Sequence, residues 1–168
     1  MPKAITNTSP LLYLYRADVI EWLPKLFDEI WTPDAVAEEL IEGERRGYDV
    51  PIPANYNWLK VKAPRLMPSE WLTLDLGLGE LETMALALEN VDRIVILDDA
   101  LARRIAQSAG LSVWGTLKVL LEAKAQGITG TILPEIDRLR DAGMWISDEL
   151  LQRVLTLARE GNNSQKMT

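Results

Sequence analysis

Asp98 and Asp99 stand side by side at the end of an apolar run, Ile94-Val95-Ile96-Leu97. Adjacent carboxylates repel unless a cation or several donors compensate them. The competing reading is that one of the two caps the helix that follows, a position Asp favours. Glu80 and Glu82 flank the stripe Leu81, Met84, Ala85, Leu88, one on each side; acids in a first helical turn also complement the helix dipole. Glu38 and Glu39 edge the Val36/Leu40 stripe on opposite sides, so at most one faces inward, and a solvated helix face is the plain alternative. Asn7 and Ser9 follow the first apolar run, as an amide ligand and a hydroxyl or as a turn capped by Ser9. Gly115-Thr116 offers a hydroxyl for a metal-bound water or a phosphate, or else another helix cap. The chain has no His and no Cys. Imidazole acid–base chemistry, thiol nucleophiles and zinc–thiolate sites are therefore excluded. Carboxylate, amide and hydroxyl oxygens suit Mg²⁺ or Mn²⁺, ions that activate water and stabilise phosphoryl-transfer transition states.

The elements that must position these groups follow from pattern. Ala4-Ile5-Thr6-Asn7 reads as a first strand, and Ser9-Pro10 as a cap with Pro at the first helical position. Leu11, Leu12, Leu14, Tyr15, Val19, Ile20 and Leu23 suit a helix or two. Glu29-Ile30-Trp31 reads as a second strand, and Thr32-Pro33 repeats the cap-plus-Pro signal before the Val36/Ala37/Leu40/Ile41 stripe. Residues 43–70, rich in Gly and Pro, read as an irregular surface excursion with a possible strand at Trp58-Leu59-Lys60-Val61. Gly79-Glu80 opens a helix, Ile94–Leu97 is a strand buried on both faces, and Ala100–Ala109 is a helix stopped by Gly110. Ser112-Val113-Trp114 is a last strand; two or three helices complete the chain, with Gly127 and Gly143 as stops and Ser147 as a cap. The alternation predicts an α/β fold, a three-layer α/β/α sandwich around a central parallel sheet of Rossmann-like topology. Ligands in such folds bind outside the carboxyl ends of the strands, where Asn7, Asp98, Asp99 and Thr116 fall.

Length predicts one domain over residues 1–160, with a polar, frayed tail over 161–168. No run approaches the ~18 apolar residues of a membrane span, and no secretory leader is expected, so the expected location is cytoplasmic. A net charge of −7 speaks against a broad nucleic-acid-binding surface without excluding a local basic path.

In combination, these motifs resemble the PIN-domain family, best known from the toxin ribonucleases of toxin–antitoxin pairs. The resemblance spans roughly Ile5 to Arg159. It is carried by Ile5-Thr6-Asn7-Thr8-Ser9-Pro10-Leu11, Pro33 with Glu39-Leu40, Gly79-Glu80-Leu81-Glu82-Thr83-Met84-Ala85-Leu86-Ala87, Leu97-Asp98-Asp99-Ala100-Leu101-Ala102-Arg103 and Gly115-Thr116-Leu117. It is closer still to a PIN-like subgroup that shares the Gly-Glu, Asp-Asp and Gly-Thr elements. The family's acidic positions carry over onto Glu39, Glu80 and Asp98 or Asp99, with Glu82 a close secondary candidate. The family's first Asp falls on Asn7, a departure that removes one negative charge from a divalent-cation site. The resemblance implies a Mg²⁺- or Mn²⁺-dependent endoribonuclease, with Asn7 and Thr116 orienting ligands or water, a toxin role, an antitoxin-like partner and a homodimer. Arg103, Arg104 and Lys118 are candidates to hold the RNA backbone, against a solvated-face reading for at least one arginine. Tyr13 and Tyr15 are candidates to stack on bases, with core or interface packing as the alternative. The second reading is a catalytically weak or inactive PIN-like module acting through protein or RNA binding; Asn7 and the acidic charge favour it. A phospho-acceptor switch ranks last, because its acids would follow the first strand, where this chain has only Asn7.

Overall fold

The computed structural model describes residues 1–161. The polar tail, apart from Gly161, lies outside the described residues. Strands β1 (Lys3–Thr6), β2 (Glu29–Pro33), β3 (Leu59–Lys62), β4 (Ile94–Ile96) and β5 (Val113–Trp114) form one parallel sheet in the order β3-β2-β1-β4-β5. Register sets Lys3 opposite Glu29 and Thr6 opposite Ile96. Successive side chains on a strand point to opposite faces, and here both faces are covered. Ala4, Ile30 and Ile96 pack into one core with α1 (Thr8–Arg16), α2 (Leu23–Leu26), α6 (Thr116–Ala125), α7 (Leu133–Asp141) and α8 (Asp148–Leu157). Ile5, Val95 and Leu97 pack into the other with α4 (Leu78–Leu88) and α5 (Ala100–Ser108). Helix α3 (Asp34–Arg45) sends Val36 and Leu40 into the first core and also packs on α4. This is the three-layer α/β/α architecture that the alternation of elements predicts.

Three local readings shift. Helix α1 begins at Thr8 with Asn7 in the capping position, not at Pro10 behind Ser9. The Asn7 amide still donates to the Ile96 carbonyl at 3.1 Å, so the strand ladder runs up to the first helical residue. Pro10 then sits third in the helix, where its missing N–H has no intrahelical partner to lose. Strand β2 runs through Pro33, which takes the position before α3 that Thr32 was expected to hold. The excursion over 43–70 starts inside α3 and carries β3, the edge strand beside β2.

The two ends of the sheet differ in chemistry. At the amino end, Arg93 is buried, donates to Glu29 at 2.7 Å and to the Ala4 carbonyl at 3.4 Å, and stacks 3.3 Å from the Trp31 ring centre. At the carboxyl end the chain reverses direction across the sheet. It leaves β1 for β2 and β3 on one side, then returns to β4 on the other. Helix α1 leaves β1 on one face and α5 leaves β4 on the opposite face, opening a crevice between the two strand ends.

Helix α8 and the segment that joins it to α7 wall that crevice, and Glu160 ties the end of α8 to the start of α7. Its carboxylate accepts from the amides of Ile132 (3.0 Å) and Leu133 (3.2 Å) at the start of α7 and from Lys124 (2.9 Å). Burial pushes the Glu160 carboxyl up, but Lys124 and the two amides together outweigh it and hold the group below the usual glutamate range. The Arg93 hydrogen bond, against the burial that opposes it, does the same for Glu29. A carboxylate with a depressed folded-state pKa contributes stability that is present above its ordinary pKa and lost as pH falls through the depressed value. Glu160→Gln is expected to cost about 1.5–3 kcal/mol near neutral pH. Urea midpoints measured from pH 7 down to pH 3 should show that loss shrinking at the acid end.

Candidate functional site

Asp98 follows the last residue of the β4 ladder, where the Leu97 amide donates to the Trp114 carbonyl at 2.9 Å. Its carboxylate turns to Thr116, accepting from the backbone amide at 2.8 Å and from the hydroxyl at 2.7 Å. Thr116 is the first residue of α6, and Gly115 before it supplies no side-chain cap. Asp98 therefore caps α6 from a neighbouring strand. Burial pushes its carboxyl above the usual aspartate range, opposed by the two Thr116 bonds and the Arg103 charge. Arg103 is half-buried and donates to the Leu97 carbonyl at 2.9 Å. Gly115 makes room for both groups, since a Cβ there would lie 2.6 Å from the Arg103 Nη1 and 3.3 Å from the Asp98 Oδ1. Asp99 turns the other way and caps α5, its Oδ1 accepting from the Ala102 amide at 2.9 Å. The adjacent acids are compensated by donors on two different helices.

Glu80, in the first turn of α4, shares a cleft of about 530 Å³ with Asp98 and Asp99. Its carboxylate folds back over Gly77, 2.7 Å from where a Cβ would stand, and accepts no hydrogen bond among the described residues. Ser9, Tyr13, Arg103, Thr116 and Lys118 line the same cleft. Lys118 also pairs with Glu122 at 2.8 Å. Asn7 follows β1 beside the end of β4 and does not itself line the cleft. It is 1% exposed, and its Oδ1 is buried with no hydrogen-bond partner. A buried acceptor left unpaired costs about 1–3 kcal/mol, so this atom marks a place that an added ligand would satisfy.

The remaining candidates are placed elsewhere. Glu39 accepts from the Thr8 hydroxyl at 2.5 Å, and its other oxygen lies 2.6 Å from the Cβ that Gly79 lacks. It bridges α1, α3 and α4 at the rim and lines a neighbouring groove with Glu38, Glu42, Tyr48 and Leu78. Glu82 faces α3, where its Oε1 accepts from the Ala35 amide at 3.2 Å. Its carboxyl is raised, by burial first and then by Asp34, Glu38 and Glu39. Arg104 is exposed and does not line the cleft. The Tyr15 hydroxyl donates to Asp49 at 2.6 Å, away from the cleft. Sequence reasoning missed the far wall, formed by Met144, Trp145, Ile146, Leu150 and Val154. Trp145 is 84% exposed. The available signal was a Trp between a helix-stopping Gly and a helix-capping Ser.

Among the described residues no three acidic side chains converge into a ready-made metal group. Mg²⁺ commonly keeps several waters and takes only one or two carboxylates, and the donors at this end of the sheet, the carboxylates of Glu80, Asp98 and Asp99 and the orphaned Asn7 oxygen, are of the oxygen type such an ion takes. A carboxylate at position 7 tests this fit directly. Asn7→Asp places an unpaired charge in a buried position, so the metal-free variant is expected to lose about 2 kcal/mol of stability. Titration calorimetry with Mn²⁺ should show tighter binding by about tenfold, because charge count sets affinity at oxygen sites. Mn²⁺ should then raise the melting temperature of the variant more than that of the parent.

Comparison with known proteins agrees with the fold. No curated protein matches the chain. Among solved structures, a PilT N-terminus domain protein from the hyperthermophilic archaeon Sulfolobus solfataricus is similar, with a TM-score of 0.54 and 16% identity over 72% of this chain and 92% of that one. At that identity the likeness speaks for the fold alone. A family model described as a PIN domain matches residues 3–160. That span takes in the five strands and eight α-helices of the described residues and every residue of the cleft, and the chain belongs to the PIN-domain family, whose members are in general metal-dependent nucleases.

Proposed function

We propose that this chain is a Mg²⁺- or Mn²⁺-dependent endoribonuclease that works in the cleft shared by Glu80, Asp98 and Asp99. The observation that carries the reading is the buried, unpartnered Oδ1 of Asn7 at the end of β1, beside the end of β4 that delivers Asp98 and Asp99. A divalent cation there would supply water activation and neutralise charge at the phosphate. Glu80, Asp98 and Asp99 are the residues to hold it, with the Asn7 oxygen as a neutral ligand. Thr116 keeps Asp98 in place through both of its bonds. Lys118 lies where it can meet a phosphate, and Arg103, tied to the Leu97 carbonyl, offsets the acidic charge at the cleft floor. Glu39 stands at the rim as a reserve acid, and Glu82 is left out because it faces α3 and does not line the cleft. RNA as substrate, an antitoxin-like protein as partner, a homodimer as assembly and a cytoplasmic setting belong to the same proposal through the family resemblance.

The second reading is a weak or inactive module that acts by binding protein or RNA. The absence of a three-acid group among the described residues and the neutral side chain at position 7 favour it. Cleavage of several RNAs in Mn²⁺, in Mg²⁺ and in EDTA separates the two. The nuclease reading expects cleavage in Mn²⁺ that EDTA abolishes. Glu80→Gln, which disturbs no hydrogen bond among the described residues, should lower the rate by about a hundredfold or more, the scale of removing one transition-state electrostatic contact. A folded protein that cleaves nothing in either metal belongs to the second reading.

A further inference from the structure

We propose that Trp145 is a stacking platform for one unpaired nucleobase of a strand lying in the cleft. This rests on the nuclease reading of the same cleft and adds the element that holds the substrate. Trp145 is the most exposed large apolar side chain among the described residues. Its backbone is not loose. The Met144 amide donates to the Leu139 carbonyl at 2.9 Å, and the Ile146 carbonyl accepts from Arg140 at 3.0 Å. Ile146 is buried, Met144 packs on the core, and Ser147 caps α8 by accepting from the Leu150 amide at 3.1 Å. Gly143, at φ 104°, makes the turn that delivers this segment to the cleft. An indole held out in water on a pinned backbone pays a hydration cost that burial against a flat partner would relieve.

The charge of the chain makes such a partner necessary. The net charge is −7, and the cleft lining offers two cations against three carboxylates. Arg103 is occupied by the Leu97 carbonyl and Lys118 by Glu122. Phosphate contacts, the usual source of affinity for nucleic acid, are too few here to hold a strand alone. Stacking on an aromatic face supplies affinity without charge, and every base has such a face. A base inside a duplex has both faces covered, so Trp145 can stack only on an unpaired one. Tyr13 lines the same cleft and offers a second ring.

The test is binding of a ribose-methylated RNA oligomer, resistant to cleavage, to the full chain in Mn²⁺ and in EDTA, read by fluorescence anisotropy. Trp145→Ala and Trp145→Phe are compared with the parent, and a duplex of the same sequence is run beside the single strand. The expected result is about tenfold weaker single-strand binding for Trp145→Ala, near-parental binding for Trp145→Phe, and duplex binding that is weak and insensitive to either change. Melting temperature and Mn²⁺ affinity should stay at parental values, since the side chain is exposed. Equal binding by the parent and Trp145→Ala overturns the inference and leaves the nuclease reading standing if the parent cleaves RNA. No single-strand binding by the parent in either condition also overturns the inference, and the nuclease reading falls with it only when the parent cleaves no RNA. A parent that is dimeric where Trp145→Ala is monomeric, by light scattering, assigns the indole to a contact between copies and also overturns it.

Discussion

Both faces of the sheet are covered by helices, and the rest of the molecule follows from that constraint. A parallel sheet buried on both sides has no place for polar groups along its strands. They are pushed to the two ends, where backbone donors and acceptors also run out of partners. At the amino end Arg93 meets this demand with Glu29, the Ala4 carbonyl and the Trp31 ring, all inside the fold. At the carboxyl end the demand is met by carboxylates on helix N-termini, and there one acceptor, the Asn7 Oδ1, is left over.

The acids at this end carry two duties at once. Asp98 caps α6, Asp99 caps α5 and Glu82 caps α3. Each such cap contributes on the order of 1 kcal/mol, so the same groups that suit a cation are already engaged in holding helices. A carboxylate oxygen has lone pairs for both. What a capping role removes is freedom to move, which is useful for a site that must present fixed ligands and unhelpful for one short of charge. Glu80, with no hydrogen bond among the described residues, is the acid most free to turn to a ligand. The neutral side chain at position 7 lowers the charge of the site without emptying it of oxygen.

Sequence and structure share much of this account. The strand ends were legible because β-runs such as Ile94–Leu97 stop abruptly at charged residues, and periodicity placed Glu80 in a first helical turn. The ambiguity between ligand and cap at Asp98 and Asp99 was legible too, since Asp serves both roles. It could not be resolved in one dimension. Whether Asp98 caps its own helix or another depends on β5 delivering Gly115-Thr116 beside it, a contact across 18 residues of chain. Helix starts drifted by a residue or two because Ser, Thr, Asn and Pro are all acceptable near a first turn.

By itself, then, the sequence determined the alternation of strands and helices, the oxygen-only chemistry forced by a chain without His or Cys, and the neutral residue where the family has an acid. These are properties of composition and short-range pattern, and no folding step can alter them. Tertiary structure alone decided which acids meet. It set Glu80 in the same cleft as Asp98 and Asp99 without gathering the three into one group, turned Glu82 onto α3, set Glu39 at the rim and put Arg104 outside the cleft. It also carried Trp145 to the far wall. The reason is geometric. One residue along a helix is a turn of about 100°, so neighbours such as Glu80 and Glu82, or Arg103 and Arg104, part ways according to what packs against the stripe between them.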